Sequence, residues 1–400
     1  MKKLAVRAGI VAPSLTLAIT AQANKLKAQG VDIVGFTAGE PDFRTPEYIV
    51  DAAKEALDKG FTKYTPASGT AELKKAVCSK LERENGLIYA PENIVISSGA
   101  KQSLYNVMQI LLDEGDEVII IKPYWLTYPE IIKLNGGVPV YVDTKAEKGF
   151  IPDINDIEKA VTSKTKAIIV NSPNNPTGAV YSEEEIRAVA RLAQKYDLWI
   201  VSDEIYEKLV YDGKKHVSFA SVSEDARSRT FVVNGLSKAY AMTGWRIGYV
   251  AAPDAESAKA MGSIQSHETS NPNSVAQYAS VAALGSEGDK VIDSMVRVFD
   301  ERRKLMLSLL EGIKYIKPVA PSGAFYVMID ASGIIGRSVN GEIITTPMQL
   351  SKVLIENANV AVIPGECFGA NEYIRLSYSL SDDKIIEGIK RIKAFTEKIN

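Results

Sequence analysis

The chain has 400 residues, with 47 Lys+Arg against 49 Asp+Glu, and this near-balance makes nucleic acid, with its dense phosphate charge, a poor partner. Two cysteines, Cys78 and Cys367, and two histidines, His216 and His267, exclude a disulfide scaffold and any zinc site needing several such ligands. No metal is expected, proton chemistry falls to Lys, Tyr, Asp or Glu, and no apolar run is long enough to span a bilayer.

In chain order, Met1-Lys2-Lys3 and a moderately apolar stretch ending in Ala21-Gln22-Ala23 have the look of a weak secretion signal. Arg7, Gly9 and Pro13 interrupt it, while Leu15, Ile19, Ala23 and Leu26 recur at helical spacing behind Ser14 as N-cap. A cytoplasmic chain with an N-terminal helix is the expectation. Thr45-Pro46 opens an amphipathic helix that stops near Gly60, with Pro46 at its first position, and a second helix runs from Thr70 to about Asn85.

Seven short β-branched runs follow: Asn93–Ile96, Glu117–Ile121, Val138–Val142, Lys166–Asn171, Leu198–Ser202, Thr230–Asn234 and Ile247–Ala251. Helical segments such as Lys101–Leu112 and Glu183–Tyr196 separate most of them, so a mostly parallel sheet covered on both faces is expected. After about residue 285 the pattern changes to a long helix near Asp289–Gly312, strand Phe325–Ile329, helix Pro347–Asn357, strand Tyr373–Ser377 and a terminal helix. The expected organisation is α/β: a large domain over 46–285, and a smaller α+β domain formed by 1–45 with 286–400.

Ligands of parallel sheets sit at the carboxyl ends of the strands, so the residues just beyond each strand sample the site. Ser97-Ser98-Gly99-Ala100-Lys101 opens a helix whose first N–H groups can face a phosphate, although an ordinary tight turn reads the same way. Ser172–Gly178, SPNNPTG, is a loop stiffened by two prolines that pins the Asn175 amide. Asp203 ends a buried strand and needs a cation or a donor, with Tyr206 three residues on. Lys238 follows another buried strand with Arg246 eight residues later, a setting in which a lysine amine becomes a nucleophile.

Taken together, SPNNPTG, SDEIYE at Ser202–Glu207 and SKAYAMTGWRIGY at Ser237–Tyr249 make the chain resemble the class I aminotransferases. These enzymes use pyridoxal 5′-phosphate (PLP) on the type I fold. The likeness runs from AGEPDF at Ala38–Phe43 to YIRLSYS at Tyr373–Ser379 and is closest to the bacterial aspartate aminotransferase branch. It implies that Lys238 forms an imine with PLP and shuttles the proton, and that Asp203 pairs with the pyridine nitrogen. It assigns Tyr206 and Asn175 to the ring oxygen and Trp125 to the ring face. Arg246, Ser237 and the turn Gly99, Ala100 and Lys101 hold the phosphate. Arg375 clamps the substrate α-carboxylate, and Gly39 lets the backbone approach the substrate.

The same resemblance places Lys101, Ser14 and Thr16 at the distal carboxylate of an acidic substrate. It implies transfer of an amino group between L-aspartate, or another amino acid, and 2-oxoglutarate, within a homodimer. Tyr64 would reach across the twofold axis to the neighbour's phosphate. The competing readings are an aromatic, alanine or prephenate aminotransferase, or a PLP-dependent lyase. Relatives that use prephenate carry a basic residue where this chain has Ala12.

Overall fold

The computed structural model describes residues 3–400. Its centre is a seven-stranded sheet: β1 (Ile94–Ser97), β2 (Glu117–Ile121), β3 (Val138–Val142), β4 (Thr165–Asn171), β5 (Trp199–Asp203), β6 (Thr230–Gly235) and β7 (Gly248–Ala251). The spatial order is β1-β7-β6-β5-β4-β2-β3. Only β7 runs against the rest, pairing antiparallel with both β1 and β6, so the mostly parallel expectation holds.

Apolar side chains cover both faces, which is why β1, β6 and β7 are buried at every position. The edge strand β3 departs from that pattern, leaving Val138 and Tyr141 exposed. The reversed β7 has a consequence for the site. Its first residues lie at the same edge as the last residues of its neighbours, which brings Arg246 to the edge where Lys238 emerges from β6.

A second sheet, ordered Ile363–Pro364, Tyr373–Ser377, Tyr326–Asp330 and Lys317–Val319, packs with the helices Asp289–Leu310, Pro347–Ala358 and Asp382–Thr396. The N-terminal segment joins this body. Val34–Gly35 pairs in parallel with Val360–Ala361, and Ile19 and Ala23 pack with Ile355, Ala361 and Phe368. Ile205, Tyr206 and Leu209, just beyond β5, share a core with Phe325 and Leu376, so the two bodies meet at the strand ends.

Local expectations needed small corrections. Pro46 is the N-cap of helix Glu47–Asp58 and not its first residue, because its ψ of 141° is extended. The long helix ends at Leu310, where Glu311 turns extended and Gly312 takes φ +73°. Helices Ala255–Glu268 and Ser274–Ala283 were not foreseen. Ser14 does cap Leu15–Ala28, accepting from the Leu17 N–H. No helix among the described residues is long and apolar enough to cross a membrane.

Candidate active site

A cavity of about 570 Å³ opens where the carboxyl edge of the large sheet meets the second body. The sequence-predicted residues Lys238, Asp203, Tyr206, Ala100, Lys101, Trp125, Asn175, Ser237, Arg246, Gly39, Arg375 and Thr16 all line it. Gly99 sits behind the Arg246 guanidinium and, like Ser14 and Tyr64, does not line the cavity. The Ser14 hydroxyl is engaged in the helix cap and lies 3.1 Å from Thr16 Oγ1, and Tyr64 projects away from the fold, 91% exposed.

Asp203 closes β5 almost wholly buried, and among the described residues its carboxylate accepts only from Tyr128 Oη at 2.7 Å and the Ile205 N–H at 3.2 Å. Burial pushes its carboxyl up to about 6 despite those two bonds. Asn171, the last residue of β4, donates to the Asp203 carbonyl and accepts from the Asn175 N–H at 2.8 Å, which locks the proline loop to the neighbouring strand end.

Lys238 follows β6 and donates to the Gly39 carbonyl at 2.5 Å. Burial draws its ammonium down to about 8, opposed by Glu40 and Asp203 and reinforced by the like charges of Arg246 and Arg375. An amine so poised is about one-tenth free base at pH 7, far more than an ordinary lysine with a pKa of about 10.4, which suits a nucleophile or proton carrier.

On the phosphate side, helix Ala100–Leu111 starts behind Gly99, whose φ of +87° suits glycine alone. A methyl group there would stand 2.4 Å from Arg246 Nη2. Gly248 is as constrained, since its Cβ would fall 2.2 Å from the Ala100 nitrogen. Arg246 takes left-handed backbone angles and is held by the Thr243 and Ser98 carbonyls, with no carboxylate partner among the described residues.

Among the described residues Arg375 is buried with no acid beside it: its Nη1 donates to Asn175 Oδ1 at 2.9 Å, its Nη2 reaches the Thr37 carbonyl, and its Nε has no partner. Desolvation lowers its pKa, so the charge is held at a cost that an anionic ligand removes. Lys101 stands at the cavity wall with Nζ 4.8 Å from the centre of the Trp125 ring, its pKa lowered by desolvation and by Arg246.

The cavity therefore offers a buried acid lacking a cation, a buried guanidinium lacking an anion, an N-terminal helix turn beside a free arginine, and a depressed lysine between them. A protein-family model described as Aminotransferase class I and II matches residues 31–392. The chain belongs to the class I and II aminotransferases. It is 47% identical to a probable aspartate/prephenate aminotransferase of Aquifex aeolicus, over all of both chains. It is 46% identical to an aspartate aminotransferase of Bacillus subtilis, over 99% of each. Its fold matches the Thermus thermophilus aspartate aminotransferase with maleate at a TM-score of 0.93 and 44% identity, covering 99% of this chain and 100% of that one.

The family uses PLP, and the residues of this aminotransferase fit it: Asp203 needs the cation that a protonated pyridine supplies, and the cradle at Gly99 and Arg246 needs the anion that a phosphate supplies. Sequence reasoning missed three parts of the aminotransferase site. Tyr128 and Tyr326 read as core aromatics, and Gly248 reads as strand interior. The available signal for the first was its position three residues beyond Trp125, in the first turn of helix Thr127–Leu134.

Behind the strand end lies a buried ionic cluster. Glu204 accepts from the Ser202 and Ser218 hydroxyls and faces His216 Nε2 at 3.0 Å, while Lys80 and Asn85 bind Glu207. Glu204, Glu207 and His216 are near enough for a shared metal ion, but the Lys80 ammonium already supplies the cation.

Proposed function

We propose that this aminotransferase exchanges amino groups between L-aspartate and 2-oxoglutarate in a two-stage cycle. The observation that carries the reading is the pair of cations, Arg375 and Lys101, standing free of carboxylates on the wall of one cavity that also holds Lys238. Two carboxylates on one substrate match two such cations. Relatives named aspartate aminotransferase support the choice.

PLP supplies an electron sink for the pair left at the substrate Cα when its proton leaves. Asp203 keeps the pyridine nitrogen protonated. Lys238 holds the cofactor and then carries the proton at Nζ. Tyr206 and Asn175 would bond the ring oxygen, and Trp125 would cover the ring face. Ser237, Arg246 and the Gly99–Lys101 turn hold the phosphate. Arg375 orients the α-carboxylate, Gly39 makes room beside it, and Lys101 with Thr16 reads the distal end, while Ser14, expected there too, stays in the helix cap.

The resemblance implies a basic residue at the position of Ala12 in members that use prephenate. Ala12, with its N–H bonded to Glu130 at 3.0 Å, brings only a methyl group, although relatives named aspartate/prephenate aminotransferase keep that substrate as the alternative. The division into a large domain, 46–285, and a small one, 1–45 with 286–400, places the cavity at their junction. The working unit is a homodimer in the cytoplasm. A tyrosine as exposed as Tyr64, beside the half-exposed Phe61, supports a partner surface there.

A single-turnover panel of amino donors tests the reading. Aspartate and glutamate bleach the visible band of the loaded protein with 2-oxoglutarate restoring it; preference for alanine, an aromatic donor or prephenate overturns it. A PLP lyase would release product with no keto-acid acceptor. A fully active monomer at high dilution would remove the shared-site proposal.

A further inference from the structure

We infer that Tyr326 is a positioning residue serving both halves of the site, its hydroxyl directing the Tyr206 proton toward the cofactor and its ring fixing the Arg375 guanidinium. The inference rests on the reading above that Tyr206 bonds the cofactor ring oxygen and Arg375 the substrate carboxylate.

Register puts the two side chains together. In the second sheet Arg375 lies opposite Met328, and Tyr326 is two residues from Met328, so Tyr326 and Arg375 share one face as diagonal neighbours. The guanidinium carbon stands 4.2 Å from the centre of the Tyr326 ring, with the Phe368 ring 4.9 Å away. A buried cation with no carboxylate is held there by the electron-rich ring face, leaving its Nε unpaired.

The hydroxyl does separate work. Tyr326 Oη lies 2.9 Å from Tyr206 Oη, both buried, and among the described residues neither phenol has another hydrogen-bond partner. Either phenol can donate in this pair. Once Tyr206 commits its single proton to the cofactor ring oxygen, its oxygen can only accept, and Tyr326 becomes the donor. That bond polarises the Tyr206 O–H and makes it a stronger donor, which favours the deprotonated cofactor. The charged groups facing the pair are Lys238, 5.8 Å from the Tyr206 ring centre, Asp203 and Arg375.

Replacing Tyr326 by Phe removes the hydroxyl and keeps the ring; replacing it by Leu removes both. Two measurements on the PLP-loaded proteins separate the roles: the pH midpoint of the visible absorbance, and the dissociation constant of succinate, a dicarboxylate that does not react. Tyr326→Phe raises the midpoint by roughly half to one pH unit, the size of one buried hydrogen bond, and leaves succinate binding within about twofold. Tyr326→Leu gives the same shift and weakens succinate by roughly tenfold. Tyr326→Met carries the second comparison if the Leu variant does not fold. An unmoved midpoint in Tyr326→Phe, or equal succinate loss in the Phe and Leu variants, overturns the inference. A wild-type protein with no pH-dependent visible band overturns the underlying reading instead.

Discussion

Tyr128 Oη donates a 2.7 Å hydrogen bond to Asp203 Oδ2, and both groups are buried. The bond orients the carboxylate and favours its charged form, against a burial that pushes the carboxyl up to about 6. Asp203→Ala should therefore lower kcat by orders of magnitude with little change in substrate affinity, since the electron sink is lost. Tyr128→Phe should lower it by only about three- to tenfold, the worth of one such bond. Steady-state kinetics on both variants check the ordering; near-normal turnover by Asp203→Ala contradicts it.

Among the described residues Lys101 has no carboxylate partner, and it stands over Trp125 at the cavity wall. Lys101→Ala should cut kcat/KM for aspartate and glutamate by roughly a hundredfold while leaving alanine within about threefold, as the loss of one charged contact to a distal carboxylate requires. Equal losses for both classes would assign Lys101 to the phosphate or to the helix start.

Gly99→Ala meets two obstacles, a φ of +87° and a methyl group 2.4 Å from Arg246 Nη2. The guanidinium is the flexible partner and gives way, so the damage falls on phosphate binding. PLP affinity by equilibrium dialysis should fall by at least about tenfold, and stability by roughly 1–3 kcal/mol from the forced backbone. Unchanged affinity would show that the turn is not a phosphate cradle.

His216 is buried against Glu204, with Glu207 and Lys80 also facing it. Burial opposes its charge, yet the carboxylates win and its pKa is raised. A histidine raised above its unfolded pKa of about 6.5 contributes stability that is whole below that value and is lost as pH climbs through the folded pKa. Asp203, raised to about 6, and Lys238, lowered to about 8, titrate nearby, so the comparison must be with a variant. The urea midpoint of His216→Gln should stay flatter than that of wild type as pH rises from neutral; parallel curves would mean that His216 is neutral throughout.

The candidate site was legible in the sequence where residues stand at strand ends. Asp203 ends a strand, and Asn175, Lys238 and the Gly99 turn follow strands, whose apolar runs are unmistakable, and strand direction brings them to one edge. Arg246 stood out only as a second cation eight residues beyond Lys238 and through the family resemblance, and the structure adds that it precedes a reversed strand at the same edge. Tyr326 and Tyr128 escaped because an aromatic inside an apolar strand or helix has the pattern of core, and only three-dimensional contact shows its hydroxyl at work. Helices Ala255–Glu268 and Ser274–Ala283 escaped because their buried faces are Ala, Ser, Met and Gln, too little contrast for a periodic signal. Pro46 was misplaced by one residue because proline suits either side of a helix start.

The central claim is that Lys238 alone carries the cofactor. Borohydride reduction of the PLP-loaded wild-type protein, followed by peptide mapping, tests it most directly. The account predicts a pyridoxyl group on Lys238 and no visible band fixed by reduction in Lys238→Ala, which should still bind PLP noncovalently. A pyridoxyl label on any other lysine, or on none, would contradict it.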